Sequence, residues 1–163
     1  MLTFDELVDQ AETIFQGDVT NVKSEWVGEG AQRHIMSYVT FRVEESLKGN
    51  PGQSYTIRML GGTVAGETMG VSDAPKFQVG DKDILFVQNN GSQFIPLVGI
   101  MHGRFHIERE LASGREIVRT NEGEPLSDVS NLGKNEKAAR AGAAISIDEF
   151  KSAIRTKLGG QIP

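Results

Sequence analysis

The chain has 163 residues, with 17 Lys or Arg against 22 Asp or Glu, so its net charge is −5. This length fits a single domain, and the acidic balance disfavours nucleic acid and anionic membranes as partners, because both attract basic proteins. The lack of cysteine excludes disulfides, thiolate zinc sites and a cysteine nucleophile. No apolar run approaches the roughly 18 residues of a membrane-spanning helix, so we predict no membrane insertion.

The chain is predicted to begin with a short helix. Thr3 and Glu6 are spaced as in a capping box, in which a hydroxyl and a carboxylate satisfy the free backbone groups of the first turn. Apolar residues then recur at helical spacing, and the helix is expected to end near Glu12 or Thr13. A first strand is predicted over 13–27, with a bulge at Gly17, and a polar hairpin loop over 28–35.

Alternating apolar and polar residues predict further short strands. The clearest alternation places Val39, Phe41 and Val43 on one face, and 54–60 repeats the pattern. Strands are also predicted at 84–87, 94–99, 103–110 and 115–120, the last two forming a hairpin. Asn89 to Ser92 form the turn before 94–99.

The composition then becomes polar and rich in Gly and Ala, which indicates a linker over 121–145. A C-terminal helix is predicted over 146–158, capped by Ser146 and Glu149. Its apolar stripe could dock on a partner or, as we expect, cover one end of the chain's own barrel. The stripe consists of Ile147, Phe150, Ile154 and Leu158.

These elements predict a mostly β fold: a small antiparallel barrel of the oligonucleotide-binding type, with five to six strands and a helix at each end. Residues 1–163 would form one domain, in which 3–120 are the first helix and the barrel. The predicted barrel interior contains six side chains: Val39, Phe41, Val43, Ile57, Leu85 and Val87.

No pattern of catalytic, cofactor-binding or metal-binding residues stands out. His102 and His106 are four apart on a predicted strand, about 13 Å, which is too far to share a metal. Asp81 is expected to bond the backbone of its own turn. The glycines of 61–70 resemble a phosphate-binding loop, but they lack its Gly-Lys-Ser/Thr ending and no helix signal follows them, so we predict a surface loop and no bound nucleotide.

Partner recognition is predicted to centre on the long segment 61–76, with help from the loop 28–35. Two strands hold the ends of this segment, and its glycines permit backbone shapes that are closed to other residues. The alternative is that the glycines only let the segment pack across the barrel end. The predicted partner-binding residues are Gly61, Gly62, Thr63, Val64, Gly66, Met69, Gly70 and Val71.

Three stretches together resemble known proteins: AETIFQGDVTNV at 11–22, YVTFRVEESLKG at 38–49 and KFQVGDKDILFVQ at 76–88. Their order is similar to that in a group of uncharacterised exported bacterial proteins and, more distantly, in the netrin-like barrel of tissue inhibitors of metalloproteinases. The resemblance covers about residues 3–88 and implies an oligonucleotide-binding-type fold and an exported protein. Those inhibitors bind the protease zinc through an N-terminal cysteine, which this chain lacks, so no inhibitory residue carries over.

The sequence therefore favours a non-catalytic, exported (periplasmic or secreted) binding module that recognises a protein or an envelope component through its loops. The chain itself shows no signal peptide; the resemblance and a start that leads directly into a capped helix predict the mature part of an exported protein, and whether Met1 is the native start is not assigned. Two other functions stay open: a hydrolase whose active site the sequence does not reveal, and a structural domain of an exported assembly. The partner and the oligomeric state are not assigned.

Overall fold

The computed structural model describes residues 2–70, 74–126, 128–129, 132 and 144–159, and it is mostly β. An α-helix lies near each end of the chain, as predicted, and eight strands lie between them. The elements in chain order are α1 (Phe4–Gln10), β1 (Thr13–Val27), β2 (His34–Lys48), β3 (Ser54–Leu60), β4 (Gly62–Val64), β5 (Glu67–Met69), β6 (Lys82–Val87), β7 (Arg104–Arg109), β8 (Glu116–Thr120) and α2 (Ile147–Gly159).

Six of the described strands form one antiparallel sheet in the order β3-β2-β1-β6-β7-β8, and β4 and β5 pair with each other in a separate two-stranded sheet. The 15-residue strands β1 and β2 pair from end to end, whereas β6 pairs with β1 only over 13–18. The register shifts between Gln16 and Gly17, which confirms the predicted bulge. A Cβ on Gly17 would lie 2.8 Å from the carbonyl oxygen of Arg42, so this close crossing requires glycine.

The sheet is covered on both faces, because alternate side chains of β6 enter two different apolar clusters. Ile84 and Phe86 pack with the two helices, while Leu85 and Val87 face the opposite side. All six predicted interior residues belong to this second cluster or pack against it.

The second cluster is closed over by the segment between β6 and β7. The backbone N–H of Leu60, on the outer edge of β3, donates to the carbonyl oxygen of Phe94 at 2.8 Å. This bond joins the outer edge of β3 to the segment that follows β6, although the two strands are not neighbours in the sheet. Ile95 and Leu97 of this segment are buried in the second cluster.

Three local predictions are wrong. Residues 94–99 form turns with a single bridge from Val87 to Leu97, because Pro96 has no N–H for a ladder and Gly99 is left-handed at φ 65°. The predicted surface loop contains the β4–β5 hairpin. Helix α1 ends at Gln10, since the backbone N–H of Glu12 already bonds Val87.

The C-terminal helix covers its own domain, as expected. Ile147, Phe150 and Ile154 are buried, and Leu158 packs against the same cluster. In the predicted linker, the residues that the structure describes include Leu126 and Ile145, which are buried beside β8. Among the described helices, none combines the length and the apolar character that crossing a bilayer requires.

Candidate functional site: a groove beside the β4–β5 hairpin

The β4–β5 hairpin is built by a two-residue turn at Ala65 and Gly66. Both residues have positive φ, 51° and 84°, which is the type I′ geometry that matches the twist of paired strands. Behind the turn, the hydroxyls of Thr63 and Thr68 lie 2.9 Å apart across the two strands. Gly66 is therefore required by the turn, and residues 62–69 form an ordered hairpin.

The base of the hairpin is attached to the sheet by hydroxyl groups. Ser37 donates to the carbonyl oxygen of Gly61 at 2.7 Å, and Ser24 lies 2.7 Å from Ser37. The backbone N–H of Gly61 donates to Ile35 at 2.8 Å. Gly62, at φ 142°, lies directly on the two serines, because a Cβ there would come within 2.3 Å of the Ser37 hydroxyl.

A groove of about 930 Å³ lies between this hairpin and the segment 74–77; we call it the hairpin groove. Its floor is formed by side chains from the three neighbouring strands β1, β2 and β3, in two cross-strand rows. These floor residues are Val22, Ser24, Ser37, Val39 and Met59. One wall is the hairpin, and the other is made of Ala74, Pro75, Lys76 and Phe77.

Five of the predicted partner-binding residues line the hairpin groove, namely Gly61, Gly62, Thr63, Met69 and Gly70. Val64 and Gly66 lie at the tip of the hairpin and are not part of the lining, and Val71 lies outside the described residues. Of the predicted loop 28–35, residues 28–33 connect β1 to β2 through a 3₁₀ turn, whereas His34 and Ile35 already belong to β2; none of these residues lines the groove. Arg33 in that loop stacks on Trp26, with its guanidinium carbon 4.0 Å from the ring centre.

The floor of the groove was not predicted as a site. Val22 and Ser24 belong to a stretch of β1 whose polar sequence is typical of an exposed edge strand. Ser24 and Ser37 come together only through the register of β1 and β2. Among the described lining residues, Lys76 is the one charged side chain. The groove can therefore accept apolar groups and hydrogen-bonding groups, with one cation at its rim.

A second cluster lies beneath a smaller pocket of about 250 Å³. Asp83 is completely buried, and its Oδ1 accepts from Arg104 Nε at 2.8 Å and lies 3.1 Å from His106 Nδ1. Arg104 also donates to Asp81 at 3.3 Å and to Asn121 at 3.1 Å. We call these five residues the Asp83 cluster.

Sequence reasoning missed this cluster, because it depends on the pairing of β6 with β7. Asp83 and His106 are direct cross-strand partners, and Arg104 is two residues before His106 on the same face. The one available signal is the position of Asp83 directly before the strongly apolar run 84–87. Within the described part of the chain, no group of three or more His, Cys, Asp or Glu residues could hold a metal ion.

The Oδ2 atom of Asp83 is buried and has no hydrogen-bond partner among the described residues. Arg104 and His106 line the small pocket in front of it, together with Lys76, Gln78 and Asp81. The segment that carries Lys76 separates the two cavities, because Lys76 borders both.

The chain was compared with protein-family models and with curated proteins, and neither comparison gives a match.

Proposed function

We propose that this protein is a non-catalytic binding module that holds an extended segment of a partner protein in the hairpin groove. The observation that carries the proposal is the groove itself, in which an apolar floor and hydroxyl groups lie between two walls. Ligand sites are typically concave and mainly apolar, with a few polar groups that fix orientation. The groove has this composition, and 74–77 and the hairpin define its width.

The free edge of β5 favours a peptide over a small molecule. Val64 and Glu67 flank the two-residue turn, and such a pair exchanges both of its backbone hydrogen bonds across the hairpin. Hydrogen-bonding directions alternate along a strand, so the N–H and C=O groups of Thr68, the next residue of β5, point away from β4. Among the described residues, no backbone group bonds to Thr68 from that side. An extended peptide could add to this edge by strand pairing while its side chains enter the groove.

The charge around the groove suggests what the segment contains. The chain as a whole carries −5, but the described lining carries only the cation of Lys76. The apolar side chains of Val22, Val39 and Met59 would contact apolar residues of the ligand. We therefore propose a mainly apolar segment with a carboxylate near one end.

An exported location is part of the proposal, and its support is the resemblance of the three sequence stretches to exported bacterial proteins. The test is cell fractionation of the source organism with an antibody against the protein. Recovery with periplasmic or secreted marker proteins is expected, and recovery with cytosolic markers would refute this part without affecting the groove.

A peptide library tests the groove directly. Phage that display random twelve-residue peptides would be selected on the purified protein, and enriched peptides measured by fluorescence anisotropy. Met69 is 37% exposed on the groove wall, so Met69→Asp is expected to weaken binding at least about tenfold by placing a charge against apolar groups. Leu111 is 98% exposed in the β7–β8 turn, which makes Leu111→Asp the matched control.

Two results would contradict the proposed groove. One is that no peptide is enriched over an empty support. The other is that the enriched peptides bind wild type and Met69→Asp equally while both proteins keep the same circular dichroism spectrum.

The Asp83 cluster supports one other function, a hydrolase. In the neutral tautomer that donates from Nδ1 to Asp83, His106 keeps Nε2 as a base, and its side chain is 34% exposed beside the small pocket. A water there could lose its proton to Nε2 while its oxygen bonds to the acyl carbon of an ester. The bond from that carbon to the leaving group would then break, and the leaving group would take up the proton from Nε2.

The hydrolase is tested with a panel of chromogenic carboxylic esters and phosphate esters. Turnover by wild type that is lost in His106→Gln but kept in His34→Gln would support it, because His34 is at the start of β2 and does not line the small pocket. No turnover above buffer for any substrate would favour the binding module.

A further inference from the structure

Strand β1 has an open edge. On the side of β6, the last backbone contacts of β1 are at Val19, whose N–H donates to Asp81 and whose carbonyl accepts from Gly80, both at 2.9 Å. Beyond Val19 the strand continues to Val27, paired with β2 on its other side. Among the residues that the structure describes, none bonds to the backbone of 20–27 from the open side.

The two faces of this edge differ in character. Lys23 and Glu25 share one face, with side chains 67% and 44% exposed, and their charged atoms are 3.6 Å apart. Val22, Ser24 and Trp26 share the other face, where the first two form part of the floor of the hairpin groove. An exposed edge with unpaired backbone groups is a template for another strand unless charges prevent the approach.

We propose that a second copy of this chain pairs with β1 along this edge, antiparallel and centred on Ser24. In that register Ser24 of one copy lies opposite Ser24 of the other. A twofold axis passes between them, so every contact occurs twice. Lys23 then lies opposite Glu25 of the second copy, twice in the dimer. The edge is thus complementary in charge to itself, which selects the second copy over a partner of unrelated sequence.

The apolar face matches in the same register. Val22 lies opposite Trp26 of the second copy, and an aromatic beside a β-branched residue is a favourable cross-strand pair. Because Val22 is also a floor residue, the second copy contributes Trp26 to the border of the hairpin groove. The dimer would therefore extend each groove, and this inference stands whether or not the groove binds a peptide.

A charge-exchange series tests the pairing. Sedimentation equilibrium at low ionic strength, where exposed ion pairs are least screened, gives the dimer dissociation constant. Lys23→Glu creates two Glu–Glu contacts and Glu25→Lys creates two Lys–Lys contacts, so each is expected to weaken the dimer by about tenfold or more. An equimolar mixture of the two variants places opposite charges across the interface of the mixed dimer. The double variant, Lys23→Glu with Glu25→Lys, places opposite charges across the interface of its own homodimer.

Recovery in the mixture and in the double variant is the decisive result, since a damaged fold could not be rescued in this way. Arg109→Glu, which reverses an exposed cation on β7, is the control and should leave the dimer unchanged. The proposal is overturned if wild type stays monomeric at millimolar concentration, if the single variants dimerise like wild type, or if mixing them restores nothing. In the monomeric case Lys23 acts as a protective edge charge.

Discussion

The hydroxyl oxygens of Ser24 and Ser37 lie 2.7 Å apart across β1 and β2, directly beneath the first residues of the β4–β5 hairpin. The hydroxyl of Ser37 donates a hydrogen bond to the carbonyl oxygen of Gly61. The hairpin is thus joined to the sheet by two small hydroxyl groups, which leave no room for a side chain at Gly62. This contact sets the distance between the wall and the floor of the hairpin groove.

Gly62→Ala is expected to destabilise the protein by roughly 1–3 kcal/mol, because the added Cβ would lie 2.3 Å from Ser37 Oγ and 2.6 Å from Ser24 Oγ. The positive φ of 142° adds backbone strain for any L residue. Urea unfolding followed by circular dichroism gives the free energy, and peptide affinity should fall in the same variant. Gly70→Ala is the control, because a Cβ there meets open space. Equal stability of the two variants would show that the hairpin is not held against the sheet.

Asp83→Ala is expected to cost about 3 kcal/mol or more, since Arg104 stays buried and loses its closest carboxylate. Asp81, at 3.3 Å, compensates only in part. The double variant Asp83→Leu with Arg104→Met should cost less than the sum of the two single changes, because it removes both buried charges together. Chemical unfolding of wild type, Asp83→Leu, Arg104→Met and the double variant checks this. Simple additivity of the two single changes would mean that the two charges do not interact.

The fold could be predicted further than the site, because strand alternation and helix capping are local signals. The predicted bounds 13–27 and 54–60 match β1 and β3, and the six predicted interior residues share one cluster. Segment 94–99 was mispredicted because Ile95, Leu97 and Val98 are buried without a strand ladder.

The site depends on long-range register, which one sequence does not contain. Glycines identified the wall at Gly61 and Gly62, but nothing local joins Ser24 to Ser37, 13 residues apart, or Asp83 to His106, 23 apart. The hairpin turn was not predicted because Ala65 occupies its first left-handed position, where Asn or Gly usually indicates a type I′ turn.

Phe150→Ala is expected to destabilise by about 3–5 kcal/mol, as large truncations in a packed core do. Phe150 is fully buried, and its ring centre lies 4.9 Å from Phe105, 6.0 Å from Phe4 and 6.2 Å from Phe86. The midpoint of thermal unfolding should fall accordingly, while Lys157→Ala on the partly exposed side of α2 should change it little. A small effect of Phe150→Ala would mean that α2 does not cover the sheet in solution.

The stability of α1 is expected to depend on pH through Glu6. The carboxylate of Glu6 accepts the backbone N–H of Thr3 at 3.0 Å, and this bond, followed by the Thr3 hydroxyl, lowers the pKa of Glu6 below its ordinary 4.5. A carboxyl whose pKa is lower in the folded state binds its proton more readily when unfolded. Its contribution is therefore fully present above the unfolded pKa and is lost as the pH falls through the lower, folded pKa.

Glu6→Gln removes this titration and keeps a side-chain acceptor. Wild type should exceed Glu6→Gln in unfolding free energy at about pH 6, and the difference should shrink as the pH falls to about 3. Glu122→Gln, an exposed carboxylate in the turn after β8, corrects for the change in net charge. A difference between wild type and Glu6→Gln that stays constant with pH, or grows toward acid, would contradict the capping role of the carboxylate.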